Sequence, residues 1–322
     1  DPASQFADDD VFVGGPTVQT LSHVFDDFWN SDRVVAGTVL SKHETAEHFE
    51  PPTKLADGAG IDFLARIASG QPYDSLVSQR AQLTWAAAQV VYDAPDKDKV
   101  VHHELRGRLM SQTLEKQFAA AQSDVVMVTP YFVPSEREIA QLHELRQKGA
   151  EVRALSNSLE SAPDLAAQSG YSKLRSPLLA DGVHLYELRS RPDTVRGSGE
   201  TRQISRYGNY SLHAKLYVFD RQRLFIGSWN YDQRSLRINT EIGLLIDSTE
   251  LAQQIVRRFE AMTAPTAAYQ LALSHDAHGK QTLVWNTEIN HETVQLRQEP
   301  SRGPWQRLKV RLLSWLPLSP EL

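Results

Sequence analysis

The sequence of 322 residues contains no cysteine. This absence excludes disulfide bonds, thiolate metal ligands, a cysteine nucleophile and a lipidated cysteine within these residues. No apolar run approaches the roughly 18 to 20 residues that a membrane-spanning helix requires. The first four residues, Asp-Pro-Ala-Ser, provide neither an initiator methionine nor the apolar core of a signal peptide. We therefore expect the sequence to be a piece of a longer chain.

Positive charge is not in excess either, because 34 lysines and arginines stand against 40 aspartates and glutamates. The net charge of -6 disfavours a nonspecific nucleic-acid binder, which would neutralise phosphates with basic side chains. No nucleic-acid partner is therefore expected. What the sequence does have is 41% hydrophobic residues, which predicts a folded protein with one large or two ordinary domains.

Beyond residue 100 the pattern of apolar residues alternates between helical and strand periodicity. It predicts an α/β fold with a mostly buried sheet. Predicted helices cover residues 17–30, 105–122, 135–148 and 251–262, and predicted strands cover residues 11–15, 125–132, 152–155, 183–188, 215–219, 223–226 and 241–246. The polar, proline-containing stretch 93–99 is interpreted as a boundary. It separates a first domain, residues 1–99, from a second, residues 100–322.

The strongest chemical signal is a histidine and a lysine two residues apart at the start of a predicted strand, His213 and Lys215. In an extended chain the two side chains point to the same side. An imidazole that exchanges protons near neutral pH, beside a fixed ammonium, suits chemistry at phosphorus. Lysine is a poor metal ligand, and no metal is expected here. Asp220 is an odd number of residues from His213, so its side chain points to the opposite side of the strand. It is expected to brace the turn after the strand.

The next two strands provide further polar residues at the predicted site. Gly227 lets the backbone approach closely, while Ser228 and Asn230 can donate hydrogen bonds to a phosphate. Glu241 opens the following strand, where its carboxylate could hold Nδ1 of His213. A lone His-x-Lys pair is usually accidental, as in residues 278–280, where Trp285 takes the place of the aspartate. The complete set of spacings argues against coincidence.

These residues resemble the phospholipase D superfamily, whose mark is His-x-Lys-x4-Asp followed by Gly-Ser-x-Asn. Further stretches are similar to bacterial cardiolipin synthases, and in particular to their C-type branch. They are Asn230-Tyr231-Asp232-Gln233-Arg234-Ser235, Asn239-Thr240-Glu241-Ile242-Gly243, Pro130-Tyr131-Phe132-Val133-Pro134, Asn157-Ser158-Leu159, Gly170-Tyr171, Arg175-Ser176-Pro177-Leu178-Leu179 and Trp315-Leu316-Pro317-Leu318. The resemblance departs at Gln168, where a histidine is expected, and this leaves substrate contacts from that loop in doubt.

The resemblance implies a phospholipase D fold, built as a pseudo-twofold pair of α/β/α lobes with the N-terminal lobe incomplete in this chain. It also implies a transphosphatidylase in which one histidine attacks phosphorus and the other, here His213, serves as general acid and base. The implied catalytic residues are His213, Lys215, Asp220 and Glu241. Ser228, Asn230, Tyr131 and Tyr171 are the implied substrate-binding residues, although a buried structural role is as plausible for each tyrosine.

The same resemblance implies phosphatidylglycerol or phosphatidylethanolamine as phospholipid substrates, without a metal or organic cofactor. The enzyme would lie peripherally on the bacterial inner membrane. Because residues 8–16 resemble the segment that follows the first motif, the upstream half of the same protein is expected to carry that motif. A homodimer that pairs two copies of His213 is the alternative. A hydrolase or nuclease of the same superfamily and a noncatalytic lipid-binding lobe also stay open.

Two other features have competing interpretations. The run His102-His103-Glu104 looks like a metal-binding fragment but is expected to be a solvated surface, because adjacent histidines diverge. Residues 304–316 predict a basic amphipathic helix with an apolar face and with Arg307 and Arg311 opposite it. The residues on the apolar face are Trp305, Leu308, Leu312, Trp315 and Leu316. That face either packs on the protein, which is favoured, or lies in an anionic membrane interface.

Overall fold

A computed structural model describes residues 4–40, 69, 83–190, 209–275 and 278–316. Within these residues the chain forms a ten-stranded sheet in the order β14-β13-β12-β6-β5-β3-β8-β9-β11-β2. Its strands are β2 (Ala87–Tyr92), β3 (Asp124–Val128), β5 (Glu151–Asn157), β6 (His184–Leu188), β8 (Leu216–Phe219), β9 (Arg223–Gly227), β11 (Ile242–Asp247), β12 (Ala268–His275), β13 (Gln281–Ile289) and β14 (Glu292–Leu296). Two small parallel pairs accompany it: β1 (Ser4–Ala7) with β7 (Asn209–Leu212), and β4 (Phe132–Val133) with β10 (Tyr231–Asp232).

Helices cover both faces of the sheet. They are α1 (Pro16–Trp29), α2 (Gly37–Leu40), α3 (Lys97–Val101), α4 (Met110–Ala120), α5 (Glu136–Gln147), α6 (Leu165–Ala180), α7 (Gln233–Arg237), α8 (Thr249–Met262) and α9 (Pro304–Leu313). On one face, Phe118 of α4 and Leu142 of α5 join a core cluster with Tyr217 of the sheet. On the other, Val24 of α1 and Phe259 of α8 pack with strand residues of opposite parity. This α/β/α sandwich confirms the predicted α/β class.

The central strands follow the predicted pattern closely. β3, β5 and β6 are parallel neighbours, and every residue of β3 is buried. Helix α5 begins with a capping box, in which Ser135 accepts from the backbone of Glu138 and Glu138 accepts from the backbone of Ser135. It ends before Gly149, whose φ of +87° is the left-handed conformation expected of a C-terminal glycine. These elements confirm the predicted helix and its end.

The strand predicted at residues 11–15 is wrong. Residues 8–14 are irregular, and the side chains of Val11 and Phe12 are 42% and 67% exposed. The strand lies earlier, at β1, where its backbone pairs in parallel with β7 from Ser4 opposite Asn209 to Ala7 opposite Leu212. The apolar run therefore connects β1 to α1 without joining a sheet.

The polar stretch 93–99 is not an exposed linker. Asp93 and Lys97 have side chains that are 0% and 1% exposed, and Lys97 begins α3. The strand before the stretch, β2, pairs with β11 as an edge of the same ten-stranded sheet. The assignment of residues 1–99 to a first domain stays a prediction. Helix α6 and the antiparallel strands β12, β13 and β14 were not predicted.

The C-terminal helix is present as α9, which begins at Pro304 as predicted and ends three residues earlier, at Leu313. Its apolar side chains do not pack on the described protein. Trp305 is 74% exposed and Trp315 is 73% exposed, so the favoured interpretation of this face was wrong. Val310 is instead the helix residue that is buried. No helix among the described residues is long and apolar enough to cross a membrane.

Two glycines face each other where β9 and β11 pair, Gly227 and Gly243. A Cβ added at Gly227 would lie 2.5 Å from the carbonyl oxygen of Ile242 and 2.6 Å from Cα of Gly243. Both contacts are with backbone, which cannot move aside as a flexible side chain can. The close approach at Gly227 is therefore between two strands, and it sets the end of β9 beside the residues described below.

We expect Gly227→Ala to lower the free energy of unfolding by about 1–3 kcal/mol, because the added methyl group forces the two strands apart. Urea unfolding followed by circular dichroism measures the change. Gly14→Ala is the matched control, since a Cβ at Gly14 would meet nothing within 4 Å. Equal unfolding midpoints for the two variants would contradict the strand contact as a constraint.

Candidate active site

The imidazole of His213 lies in the link between β7 and β8 and is held by a carboxylate from the N-terminal segment. Its Nδ1 is 2.6 Å from Oδ2 of Asp8. Because a carboxylate accepts, Nδ1 carries the hydrogen and Nε2 is left to exchange a proton with a ligand. The backbone N–H of His213 donates to the carbonyl of Ala7 at 2.9 Å. The pairing of β1 with β7 therefore positions both Asp8 and His213.

Lys215 lines the same cleft as His213, as their spacing predicted. Its Nζ donates to the carbonyl of His213 at 2.5 Å. Burial lowers the pKa of Lys215, and the nearby carboxylates of Asp8 and Glu241 oppose this effect. The ammonium is therefore held by the backbone of His213 in the cleft that the imidazole also lines.

Glu241 does not hold His213, which corrects the predicted contact. Its carboxylate accepts from the hydroxyl of Ser235 at 2.8 Å and from the hydroxyl of Ser228. Its backbone N–H donates to Asp93, which turns the residue toward the interior at the start of β11. Burial raises the pKa of Glu241, while the hydrogen bonds from the two serines lower it. The orienting carboxylate is Asp8, which the sequence did not single out for this role.

Ser228 and Asn230 follow β9, and Ser228 lines the cleft. The hydroxyl hydrogen of Ser228 points to Glu241, and its oxygen accepts from the backbone of Ile242 at 3.0 Å. In this structure the hydroxyl of Ser228 therefore donates to Glu241 and not, as predicted, toward a phosphate. Asn230 is 9% exposed, and its Oδ1 has no hydrogen-bond partner among the described residues. Such a buried amide is the kind of group that a ligand or an adjoining lobe satisfies.

Asp220 braces the turn after β8, as its position on the strand predicted, and it does not contact His213. Its carboxylate accepts from the backbone of Ser123 at 2.7 Å and of Asp124 at 3.1 Å. Despite partial burial, these hydrogen bonds hold the pKa of Asp220 below its usual range. The residue itself has a φ of +53°, which the bonds to the start of β3 stabilise.

Asn157, at the end of β5, fixes the strand that leads to the histidine. Its amide donates to the carbonyl of Leu212 at 3.0 Å and accepts from the N–H of the same residue at 2.8 Å. The hydroxyl of Ser211 donates to the carbonyl of Ser161 at 2.5 Å. The loop after β5 is thus tied to the residues immediately before His213. The Asn157-Ser158-Leu159 stretch has a structural role here.

A buried ion pair supports the far wall of the cleft, and sequence analysis missed it. Nζ of Lys97 lies 2.7 Å from Oδ2 of Asp93 and 2.6 Å from the carbonyls of both Ser235 and Asn239. Asp93 in turn accepts from the backbone of Glu241 at 3.0 Å. The pair therefore fixes both ends of the segment 235–241. The signal available in the sequence was the separation of two oppositely charged residues, Asp93 and Lys97, by four positions.

The remaining predicted residues lie outside this cleft. Tyr171 is 2% exposed and packs edge-on against Phe132, so the structure places it in the core and not among cleft residues. Tyr131 is half-buried, and burial raises its pKa. A substrate contact from Tyr131 stays a prediction. His102 and His103 are exposed, as expected for a solvated surface. No group of three or more potential metal ligands occurs among the described residues.

The cleft around His213 has a volume of about 430 Å³. Three aspartates, Asp8, Asp9 and Asp10, lie on one side, and the ends of β9 and β11 lie on the other. A half-exposed imidazole with an oriented Nδ1, beside a lysine, can exchange a proton with an oxygen on phosphorus. The described residues provide one such imidazole with its lysine in this cleft.

Comparison with known proteins identifies relatives of this arrangement. A family described as "Cardiolipin synthase, PLD-like domain" matches residues 114–263. Cardiolipin synthase C of Escherichia coli is 32% identical over 320 residues, covering 97% of this chain and 65% of that protein. Cardiolipin synthase 2 of Bacillus cereus is 25% identical over 177 residues, covering 55% of this chain and 29% of that protein. This chain therefore spans less than two thirds of the length of these relatives.

Among solved structures, phosphatidylserine synthase of Haemophilus influenzae aligns with a TM-score of 0.50 and 12% sequence identity. The alignment covers 95% of this chain and 62% of that one. At this identity the likeness shows the fold. It agrees with the mixed α/β architecture described above, and the phospholipase D fold expected from the motif is confirmed.

We expect Lys97→Met to lower the free energy of unfolding by about 3–5 kcal/mol, because Asp93 would be left buried without its cation. Chemical unfolding measures the loss. Lys99→Met is the control, since Lys99 is 46% exposed and its ion pair with Asp96 is at the surface. If both variants unfolded at the same denaturant concentration, the buried pair would not support the wall of the cleft.

Proposed function

The chain belongs to the cardiolipin synthase family of the phospholipase D superfamily, and on this premise we propose that it provides one half of the active site of a cardiolipin synthase. The reaction would transfer a phosphatidyl group from one phospholipid to the glycerol headgroup of phosphatidylglycerol. The observation that carries the proposal is the arrangement of His213, Lys215 and Asp8. The imidazole faces the cleft with one nitrogen held by a carboxylate and an ammonium beside it.

His213 acts in this proposal as the general acid and base. In the first step a histidine of the other half forms a bond to phosphorus, and the bond from phosphorus to the headgroup oxygen breaks. His213 donates its Nε2 proton to that leaving oxygen. In the second step the hydroxyl of phosphatidylglycerol gives its proton to His213 and attacks phosphorus, and the phosphohistidine bond breaks. Lys215 stabilises the nonbridging oxygens in both steps.

Asp8 orients His213 and stabilises the imidazolium that is present before the first step and again after the second. This is the role that a buried carboxylate plays beside a catalytic histidine elsewhere. Glu241 contributes differently, because its hydrogen bonds with Ser228 and Ser235 shape the wall opposite Lys215. Asn230 has a buried amide oxygen that is unpaired within the described part of the chain, and in this proposal a donor from a ligand or an adjoining lobe satisfies it.

The proposed reaction needs a second histidine. The chain contains one complete His-x-Lys-x4-Asp motif, at His213, Lys215 and Asp220. We propose that an upstream segment of the same protein carries the first motif, and that residues 1–99 include the remainder of its lobe. The contact between Asp8 and His213 supports this arrangement, since the N-terminal segment already contributes to the site of the second motif. Pairing of two copies of His213 is the alternative.

The proposed substrates are anionic or zwitterionic phospholipids, with phosphatidylglycerol as acceptor and phosphatidylglycerol or phosphatidylethanolamine as donor. The proposed location is the surface of the bacterial inner membrane. Hydrolysis in place of transfer, or lipid binding without catalysis, are the competing functions. Labelled phosphatidylglycerol separates them, since transfer yields cardiolipin, hydrolysis yields phosphatidic acid and a binding lobe yields neither. Cardiolipin as the main product is the result that supports this proposal.

We expect His213→Ala to reduce cardiolipin formation by about 10²-fold to 10⁴-fold in the complete protein, because proton transfer to the leaving alcohol is lost. The rate of label incorporation into cardiolipin measures the effect. His278→Ala is the control, because His278 belongs to the His-x-Lys sequence that lacks the aspartate. Activity of His213→Ala close to that of the control would rule out His213 as the acid and base.

We expect Asp8→Asn to lower kcat by about 10²-fold to 10⁴-fold while KM stays unchanged, because the imidazole loses its fixed tautomer and the negative charge beside it. Steady-state kinetics on mixed micelles separates the two constants. Asp10→Asn removes the same charge two residues away and should have a much smaller effect. An equal loss of kcat in both variants would show that the acidic segment acts through its charge alone.

A further inference from the structure

Helix α9 presents a row of large apolar side chains to solvent. Besides Trp305 and Trp315, the exposed members are Leu308 at 44%, Leu312 at 49% and Leu316 at 49%. Tryptophans in the core of this fold, Trp229 and Trp285, are 2% and 5% exposed. A contiguous apolar surface of this kind marks an interaction site. At about 100° per residue, Trp305, Leu308 and Leu312 occupy an arc of about 60° on one side of the helix, and Trp315 and Leu316 follow in the turn after its end.

The opposite side of α9 is fixed to the protein, so the apolar face is held outward. Val310 is 3% exposed, and the amide of Gln306 donates to the carbonyl of Leu159 at 2.7 Å. Arg302, just before the helix, donates to the carbonyl of Glu160 at 2.6 Å. A helix that were merely detached would not bury one side selectively. The outward face is therefore a property of the folded protein.

The charges around this face have one sign. Residues 300–316 contain Arg302, Arg307, Lys309 and Arg311 and no acidic residue, although the whole protein has a net charge of -6. On the helical projection Lys309 and Arg311 flank the apolar arc on its two sides, and both are exposed. Arg311 thus lies beside the apolar face, which corrects its predicted position opposite it. Neither Lys309 nor Arg311 forms an ion pair within the described residues. Long basic side chains in these positions can reach phosphates while their stems stay in an apolar layer.

The position of α9 relates this face to the cleft. The loop 157–161 contacts α9 through the carbonyl of Leu159, and it contacts Arg302, just before the helix, through the carbonyl of Glu160. The same loop is hydrogen-bonded to Ser211 and Leu212, immediately before His213. One short loop therefore separates the apolar helix face from the strand end that carries the imidazole.

We propose that α9 is an interfacial anchor that lies in the plane of an anionic phospholipid bilayer. Its tryptophans and leucines enter the boundary between headgroups and acyl chains, to a depth of about 5–10 Å. Lys309 and Arg311 bind lipid phosphates on either side. The anchor holds the protein at the surface where its lipid substrates lie, but binding itself needs no turnover. It therefore does not rest on the proposed transfer reaction.

Sedimentation of the intact protein with vesicles tests the anchor. Vesicles of phosphatidylglycerol and phosphatidylcholine are compared with vesicles of phosphatidylcholine alone. We expect strong binding to the first, and about tenfold or greater weakening in the double variant Trp305→Ala, Trp315→Ala, which loses two interfacial aromatics. Trp85→Ala is the matched control, because Trp85 is 83% exposed but lies outside α9. Its binding should match that of the unchanged protein.

A second variant removes two positive charges and so tests the anchor without changing the tryptophans. Lys309→Gln with Arg311→Gln should weaken binding to phosphatidylglycerol vesicles by about 30-fold, at about 1 kcal/mol per basic residue. It should leave the weaker binding to phosphatidylcholine unchanged. Circular dichroism measures the thermal unfolding midpoint of each variant, and vesicle binding is compared among variants whose midpoints equal that of the unchanged protein.

Three outcomes would overturn the anchor. They are failure of the unchanged protein to sediment with phosphatidylglycerol vesicles, equal binding of the tryptophan double variant and Trp85→Ala, and a vesicle-free oligomer that the double variant dissociates. The last would assign the face to a second copy of the chain. Retained vesicle binding in a protein that forms no cardiolipin would leave the anchor standing and contradict the transfer reaction alone.

Discussion

The buried ion pair between Asp93 and Lys97 is the constraint on which the cleft wall depends. Two charges removed from water are tolerated because each oxygen and proton has a partner. Lys97 donates to the carbonyls of Ser235 and Asn239, and Asp93 accepts from the backbone of Met110 and Glu241. The pair thereby joins the end of β2, the start of α4 and the turn before β11. That turn positions Glu241 and Ser228, so these two polar residues are supported by the buried ion pair.

A second buried charge cluster lies toward the other end of the sheet. Nε of Arg175 on α6 lies 2.7 Å from Glu187 of β6, and its Nη1 lies 2.6 Å from Glu299. The indole of Trp285 donates to Glu187 at 2.9 Å. This cluster attaches the antiparallel strands β12 to β14, and the segment that leads to α9, to the rest of the sandwich. The orientation of the C-terminal helix thus follows from a charge network in the core.

Local patterns in the sequence predicted the elements that local forces determine. Helix α5, with its capping box and Gly149, and the buried strand β3 follow from periodicity and end signals alone. The site was predicted as far as spacing along one strand could reach, which gave His213, Lys215 and the bracing role of Asp220. Contacts between segments that are distant in the sequence could not be predicted from such spacing. Asp8 is 205 positions from His213, and Asp93 in a charged stretch had the composition of a linker. Nothing local distinguishes a buried lysine from a solvated one.

The pairing of β1 with β7 has a consequence for folding as well as for geometry. Loop closure over 205 residues carries an entropy cost that short-range contacts do not, so this pairing belongs among the slow, nonlocal events of folding. The ten-stranded sheet can form around its own hydrogen bonds while the N-terminal segment is still undocked. The carboxylate of Asp8 reaches Nδ1 of His213 only through this pairing. The orientation of the imidazole is thus completed by a long-range contact and not by the strand on which the histidine lies.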